Sequence, residues 1–336
     1  MKVCLYFENA NLISKSGIGS ALKHQMAALD YANVPYTLDY HDQYDILHIN
    51  TIGIKSKEVI FHAKKLNRPV IYHAHSTEED IRNSYFGSNA VAPILKKRLI
   101  SLYSKANCII TPTPYSKSLL LKYGITVPIF PVSNGIRIKD YQTDKQKIAK
   151  FRDYFKLAPE DKTIICVALP FKRKGIIDFV NIAQELPQYK FIWFGDTYKY
   201  LLTHDIQTLI KHKHPKNVIF PGYISGDVLM GAYLNCDLFF FPSYEETEGI
   251  VVLEALAAKC PILIRDIPVY NHWLVDQENC YKGKDNHDFK NKIIKILNHK
   301  LPNLTSAGFK VAQDRDLSKI GLQLKQIYKK VLEQAK

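Results

Sequence analysis

The run Ser243-Tyr-Glu-Glu246-Thr-Glu248-Gly249-Ile-Val-Val-Leu-Glu254 sets four carboxylates and a glycine directly after an apolar stretch, Leu238–Phe241. It reads as a buried strand, an acidic loop and a helix that Gly249 opens. A strand, loop and helix N-terminus presents backbone N–H groups and a favourable dipole to a phosphate. In open α/β sheets, ligands sit at such carboxyl ends of strands. Glu254 is the most informative residue, because Val251, Val252, Leu253, Ala255, Leu256 and Ala257 surround it. A carboxylate there is costly to bury without a partner. Two readings stand: pairing with a basic residue, or accepting hydrogen bonds from a diol such as a ribose. Glu245, Glu246 and Glu248, taken singly, are acids favoured by the helix dipole. Three further features have chemical potential. Ser16-Gly17-Ile18-Gly19 is either a plain turn or a backbone that a diphosphate approaches closely. His73 and His75 follow an apolar run, where a histidine is ordinarily a hydrogen-bonded core residue. Asp314-Arg315-Asp316 has a metal-binding spacing but lies away from any strand end, so it reads as surface.

The elements that must position these residues form two series. Val3–Phe7, Ile46–Ile49, Val70–Tyr72 and Cys108–Thr111 read as buried parallel strands, and Thr163–Ala168, Lys190–Phe194, Asn217–Phe220, Leu238–Phe241 and Pro261–Ile264 follow. Helix-period segments lie between them, among them Ser20–Tyr31, Lys174–Glu185 and Gly249–Ala258. This alternation predicts an α/β protein with doubly wound, Rossmann-like sheets. The stretch Arg137–Asp161 is rich in Lys, Asp and Gln, carries no strand signal and reads as a linker with a short helix. Leu317–Lys336 is a periodic, Lys-rich terminal helix. With 336 residues, two domains are the natural expectation.

Composition narrows the classes. Apolar content of 46% with 23% charged residues is that of a globular chain. No stretch reaches the roughly 18 apolar residues of a membrane span, and Glu8 stops the first apolar run, so no signal peptide is visible. A cytoplasmic location is expected. The six cysteines show no metal spacing and most sit in apolar runs, as buried thiols of a reducing compartment do. The net charge of +14 is diffuse: 17 Lys/Arg against 10 Asp/Glu in residues 1–140, and 29 against 22 in the rest. Such basicity suits anionic lipid, nucleic acid or phosphate-bearing substrates. No nucleic-acid recognition motif with interleaved aromatics accompanies it, and nucleic acid is not an expected partner.

Glu246 and Glu254 have the Glu-x7-Glu spacing of the retaining family-four glycosyltransferases, and other pieces resemble that family in order. They are Ser16–Gly19, Tyr44-Asp45-Ile46-Leu47-His48, Thr111-Pro112-Thr113 to Ser116, Ser133-Asn134-Gly135-Ile136, Lys174-Gly175 and Pro221-Gly222-Tyr223. The resemblance covers nearly the whole chain. It implies the GT-B fold, two facing Rossmann-like domains with a cleft between them: an acceptor and membrane-binding domain over 1–145, a nucleotide-sugar domain over 146–316, and a terminal helix over 317–336 that packs back on the first. It also implies roles. Glu246 faces the donor sugar, Glu254 the ribose, and His75 the transferred sugar. Thr247, Glu248, Gly249 and Ile250 meet the diphosphate and sugar together with Gly17 and Gly19. Gly222, Tyr223 and Ile224 frame the base. Lys174 stabilises the charge that develops on departing UDP; without the resemblance it reads as a solvated lysine. The sequence departs from the family at Ala168-Leu169, where an arginine is usual, so that Arg173 or Lys172 would carry that charge. It departs also at Glu248, where an aromatic residue is common, and at Phe194-Gly195-Asp196-Thr197, where a second glycine is usual. No metal or other cofactor is implied; the UDP-sugar is a co-substrate.

Within that family, His75-Ser76-Thr77-Glu78-Glu79-Asp80 with Arg82-Asn83-Ser84, Arg173-Lys174-Gly175 with Asp178-Phe179, and Ser243–Gly249 resemble bacterial diglycosyl-diacylglycerol synthases. The implied reaction moves a hexose, galactose favoured and glucose second, from a UDP-hexose to α-monoglucosyl-diacylglycerol. Its products are membrane glycolipids and lipoteichoic-acid anchors. A soluble polysaccharide or protein acceptor is the alternative. The segment Ala92–Tyr103 sets Lys96, Lys97 and Arg98 among apolar residues. It reads equally as an amphipathic helix lying on an anionic membrane or as an ordinary helix with a basic corner. On the first reading the enzyme is peripheral to the inner face of the cell membrane.

Overall fold

The structure, a computed structural model, describes residues 1–8 and 17–335. Contacts divide the chain into two units: Met1–Glu79, Ala90–Arg137 and Asp314–Lys336 form one, and Asp80–Asn89 with Ile138–Gln313 form the other. The sequence boundaries at 145/146 and 316/317 thus shift to 137/138 and 313/314. The ten residues from Asp80 belong with the second unit, a placement that no composition change signals. No helix of the described residues is long and apolar enough to cross a membrane.

The first unit contains β1 (Val3–Tyr6), α1 (Gly17–Tyr31), β2 (Tyr36–Thr37), β3 (Ile46–Ile49), α2 (Ser56–Lys65) and β4 (Val70–His73). The short α3 (Glu78–Ile81) leads out of it and α4 (Ser88–Tyr103) leads back. Then come β5 (Cys108–Thr111), α5 (Pro114–Lys122) and β6 (Ile129–Pro131). Its sheet is all parallel in the order β2-β1-β3-β4-β5-β6. Helices cover both faces, which is why β1, β3, β4 and β5 are buried along their whole length and largely apolar without alternation. Thr113 caps α5 by accepting from the Ser116 N–H, and Pro114 follows at the first turn, where its missing N–H costs nothing.

The second unit contains α6 (Lys145–Tyr154), β7 (Thr163–Val167), α7 (Ile176–Glu185), β8 (Lys190–Phe194), α8 (His204–Lys211) and β9 (Val218–Gly222). It continues through α9 (Asp227–Asn235), β10 (Leu238–Phe241), α10 (Ile250–Ala257), β11 (Ile262–Arg265), β12 (Tyr281–Gly283), α11 (Asn286–Leu297) and α12 (Thr305–Gln313). This sheet is also parallel, in the order β12-β11-β10-β7-β8-β9. Chain direction across the sheet reverses between β7 and β10. Each unit is therefore a Rossmann-like α/β sandwich, and the fold is that of GT-B proteins.

The last helix, α13 (Leu317–Gln334), returns to the first unit. Leu317, Ile320, Leu324, Ile327, Tyr328 and Val331 join Val3, Leu5, Ala28 and Ile71 in one buried cluster. Asp316 caps it by accepting from the Ser318 N–H at 3.0 Å, and Asp314 pairs with Lys319. These are structural tasks for the two acids of the Asp-x-Asp triplet. Three strands escape the sequence pattern, β2, β6 and β12, and all lie at sheet edges. They are two or three residues long, too short for a period to register.

Candidate functional site

The crevice of a doubly wound sheet opens where strand order reverses. In the second unit that is the carboxyl ends of β7 and β10. After β7 the chain makes a tight turn, Lys172–Lys174, and enters α7 through Gly175 in a left-handed conformation (φ +78°). A side chain at Gly175 would collide with the Pro242 carbonyl. Glycine lets this turn close onto the end of β10, which brings Lys174 beside the acidic loop.

There Lys174 Nζ donates to Glu246 Oε1 in an ion pair. Ser243 Oγ donates to the same oxygen at 2.7 Å. Both bonds fall on Oε1, so among the described residues Oε2 has no protein donor. Burial alone would raise the Glu246 carboxyl, but Lys174 and Arg173 outweigh it and hold the group below its ordinary value. Lys174 is itself lowered, by burial first, with Glu246 opposing. Arg173 completes the cluster: its Nη1 donates to the Glu245 carbonyl at 2.5 Å, and its own carbonyl accepts from the Tyr244 N–H at 2.8 Å. Lys172 instead pairs with Asp205 at 2.7 Å. Of the two candidates for the extra charge, Arg173 is the one beside Glu246. Lys174 and Arg173 thus both act on the Glu246 carboxylate, and Gly249 opens the next helix in the left-handed region (φ +87°).

Glu248 is only 1% exposed and Glu246 is buried too, so whatever the helix dipole contributes, neither acid is a solvated surface group. Thr247 and Ile250 are half-buried beside them. Among the described residues Glu254 pairs with no basic residue. Its Oε2 accepts from the Tyr233 hydroxyl at 2.6 Å, and Tyr141 donates to the same carboxylate. Burial nevertheless raises its carboxyl above the usual range. It lines a cavity of about 600 Å³ with Lys139, Tyr141, Lys147, Ser225 and Met230 in its wall. Gly222, at the end of β9, has φ +79°, and the exposed Tyr223 and half-buried Ile224 follow it.

Two residues at this end of the sheet are absent from the sequence reading. Arg265, at the end of β11, donates to the Pro242 carbonyl at 2.9 Å, pairs with Asp178 at 2.9 Å, and lies 3.8 Å from the centre of the Tyr244 ring. It braces the start of the acidic loop. Tyr270 is fully buried below Gly249, and its hydroxyl has no hydrogen-bond partner among the described residues. Arg265 could have been found as a charge inside an apolar strand; nothing in the pattern marks Tyr270.

In the first unit, His75 Nε2 lies 3.0 Å from Asn50 Oδ1, and its ring stacks on His73 at 4.0 Å, which stacks in turn on His48 at 5.4 Å. Burial lowers all three imidazoles, His48 and His75 to about 3. Gly17 and Gly19 lie in the first turn of α1 and not in a loop; Ser16 is outside the described residues. The basic corner of α4 differs from its sequence reading. Lys96 pairs with Glu78 at 2.9 Å and covers the Tyr123 ring, while Arg98 donates to the Ile52 carbonyl at 2.8 Å and to that of Gly53. Two of the three cations expected at a membrane are thus committed to their own unit, and only Lys97 is exposed. The exposed face nearby is apolar: Ile94 (69% exposed) sits one turn before Arg98, and the loop that Arg98 holds leads to Ile54 (87%) and, two turns on, to Phe61 (71%). Lys55, Lys57, Lys64 and Lys65 surround the latter two. All six cysteines are buried free thiols.

Comparison with known proteins follows this division. Residues 16–140 match the model of Glycosyltransferase Family 4, and residues 147–308 that of Glycosyl transferases group 1. The chain is similar to the processive diacylglycerol alpha-glucosyltransferase of Acholeplasma laidlawii, with 43% identity over 99% of each chain. It also resembles the alpha-galactosylglucosyldiacylglycerol synthase of Streptococcus pneumoniae, at 27% identity over 72% of this chain and 65% of that one. Among solved structures, Anabaena HepE in complex with UDP and glucose superposes with a TM-score of 0.79 at 16% identity, covering 98% of this chain and 100% of that one. Sucrose-phosphate synthase from Thermosynechococcus elongatus superposes with a TM-score of 0.73 at 18% identity, over 86% and 74%.

Proposed function

The chain belongs to the family-four glycosyltransferases, and from that premise we propose that it transfers a hexose from a UDP-hexose to a diacylglycerol glycolipid, with monoglucosyl-diacylglycerol as acceptor. The observation that carries the reading is the Glu246 carboxylate, fixed through Oε1 by Lys174 and Ser243 with Oε2 left for a sugar hydroxyl. An acceptor hydroxyl attacks C1 of the donor sugar on the face from which UDP departs. The C1–O bond to the diphosphate breaks, its electron pair leaves with UDP, and a departing phosphate oxygen takes the acceptor proton. Lys174 and Arg173 oppose the growing charge on that diphosphate more strongly in the transition state than before it. Glu254 binds the ribose, displacing or sharing its tyrosine bonds. Gly222, Tyr223 and Ile224 frame the base, and Thr247 to Ile250 meet the diphosphate and sugar. His75 contacts the transferred sugar, and Gly17 and Gly19 admit the diphosphate.

The glucosyl name of the relative at 43% identity supports UDP-glucose over UDP-galactose as the donor. The lipid acceptor is supported by that name and by the exposed Ile54, Phe61 and Ile94 among lysines, a face suited to an anionic bilayer. On this reading the enzyme works while peripherally bound to a membrane. Labelled UDP-glucose and UDP-galactose, each supplied with monoglucosyl-diacylglycerol in anionic micelles, test it. A diglucosyl lipid identified by mass spectrometry is the expected product. Transfer only to a water-soluble acceptor overturns the lipid reading.

A further inference from the structure

The chain leaves the first unit at Glu79, runs through the second as Asp80–Asn89, and re-enters the first at Ala90. This short segment is built to hold one shape. Asn83 is left-handed (φ +56°); its N–H donates to Asn89 Oδ1 at 2.8 Å, and Asn89 Nδ2 donates back to Asn83 Oδ1 at 3.0 Å. The Phe86 N–H donates to the Leu201 carbonyl at 2.9 Å, and the Arg173 N–H donates to that of Asn83 at 3.1 Å.

Ser84 is the buried residue of this segment nearest the reaction cluster. Its Oγ donates to the Asp80 carbonyl at 2.8 Å and accepts from Arg173 Nε at 2.7 Å. A serine hydroxyl has one hydrogen to give and two lone pairs. The first bond therefore aims a lone pair at the guanidinium. Arg173 offers five N–H donors in a planar fork. Nε is tied to Ser84 and one Nη1 hydrogen to the Glu245 carbonyl, which leaves Nη2 untied among the described residues. The fork is held at two of its three nitrogens, and Ser84 supplies one of the two holds. Arg173 is the only arginine on the connection between β7 and α7, where Ala168 and Leu169 offer no charge.

We propose that Ser84 is a positioning residue for the transfer: it fixes the Arg173 fork so that its untied N–H groups meet the leaving diphosphate. This rests on the donor reading above. It also means that a segment entering from the acceptor-side half of the sequence sets the grip on the donor.

The test is a cycle of Ser84→Ala, Arg173→Ala and the double variant in the full chain, with Ser84→Thr as the conservative control. UDP binding is read by calorimetry, and kcat and both KM values by lipid product formation. A hydrogen bond to a charged group corresponds to roughly ten- to hundredfold. Ser84→Ala is expected to lower kcat and weaken UDP binding within that range while the KM for the lipid stays unchanged. Ser84→Thr should restore most of the loss, and Ser84→Ala should cost nothing further once Arg173 is alanine. Full activity in Ser84→Ala, or an equal additional loss in the Arg173→Ala background, overturns the positioning role. Absence of UDP binding by the unaltered chain overturns the donor reading and this inference together.

Discussion

At the scale of the residue, the site turns on how two charges are buried together. Lys174 and Glu246 each lose hydration, and removing one partner strands the other. Glu246→Gln and Lys174→Ala are each expected to lower kcat by about a hundredfold or more, the order lost with a single charge-stabilising group. Circular dichroism should show both variants folded. Turnover near that of the unaltered chain in either would remove the residue from the chemistry. The pH profile follows from the same pair. Burial lowers Lys174, so the alkaline limb of kcat/KM, where the ammonium is lost, is expected below the ordinary lysine value of 10.5. Glu246 is held below 4.5 and stays ionised throughout the neutral range. Tyr270 gives a check without catalysis. A buried hydroxyl with no partner is a cost, so Tyr270→Phe should leave the apo protein's stability unchanged or raise it by about 1 kcal/mol; a clear fall in the melting temperature would show that the hydroxyl is bonded. Glu254 was legible as an anomaly because every neighbour is apolar, yet its tyrosine partners come from 113 and 21 residues away in sequence. Spacing cannot report such pairings. Glu246 drew its role only from resemblance, since a carboxylate before a helix looks the same whether solvated or buried.

At the scale of the element, the central strands were readable and the edges were not. Strands covered on both faces must be apolar throughout, and such runs stand out. Edge strands of two or three residues, such as Tyr36–Thr37, need only backbone partners. The three histidines at β3, β4 and just beyond show what packing adds to pattern. His73 and His75 each read singly as a core histidine; with His48 they form a buried stack next to Tyr328 of α13, whose hydroxyl lies 2.7 Å from His48 Nδ1. Their folded values lie below 6.5, so the unfolded chain binds protons first as the pH falls. Stability is therefore full above about 6.5 and declines toward 3, at roughly 1.4 kcal/mol per pH unit for each histidine. Thermal melts between pH 6.5 and 5, above the range where carboxylates titrate, should show this decline. His73→Phe should make the decline about a third shallower. A melting temperature constant over that window would contradict the burial of the stack.

At the scale of the whole molecule, the diffuse charge of +14 suits an anionic surface without naming the contact. Sequence pattern pointed to Lys96, Lys97 and Arg98, because a cluster of cations on a helix says nothing about which of them are used internally. Two of them are. On the proposed membrane-bound reading the exposed Ile54, Phe61 and Ile94 would make the contact, each contributing about 1.5–3 kcal/mol if fully buried. Changing Ile54 and Phe61 to serine should reduce co-sedimentation with anionic vesicles at least tenfold, whereas neutralising Lys96 and Arg98 should chiefly lower stability. Unchanged vesicle binding in the serine variant would exclude this face. The domain boundaries were legible only approximately. The return of α13 to the first unit and the loan of Asp80–Asn89 to the second are long-range pairings without a local signature. The most direct measurement of the central claim compares the unaltered chain with Glu246→Gln in the transfer of labelled glucose from UDP-glucose to monoglucosyl-diacylglycerol. Lipid-extractable product from the first and at least a hundredfold less from the second is the expected result. Equal product from both, or none from the unaltered chain, would contradict the placement of the chemistry at the ends of β7 and β10.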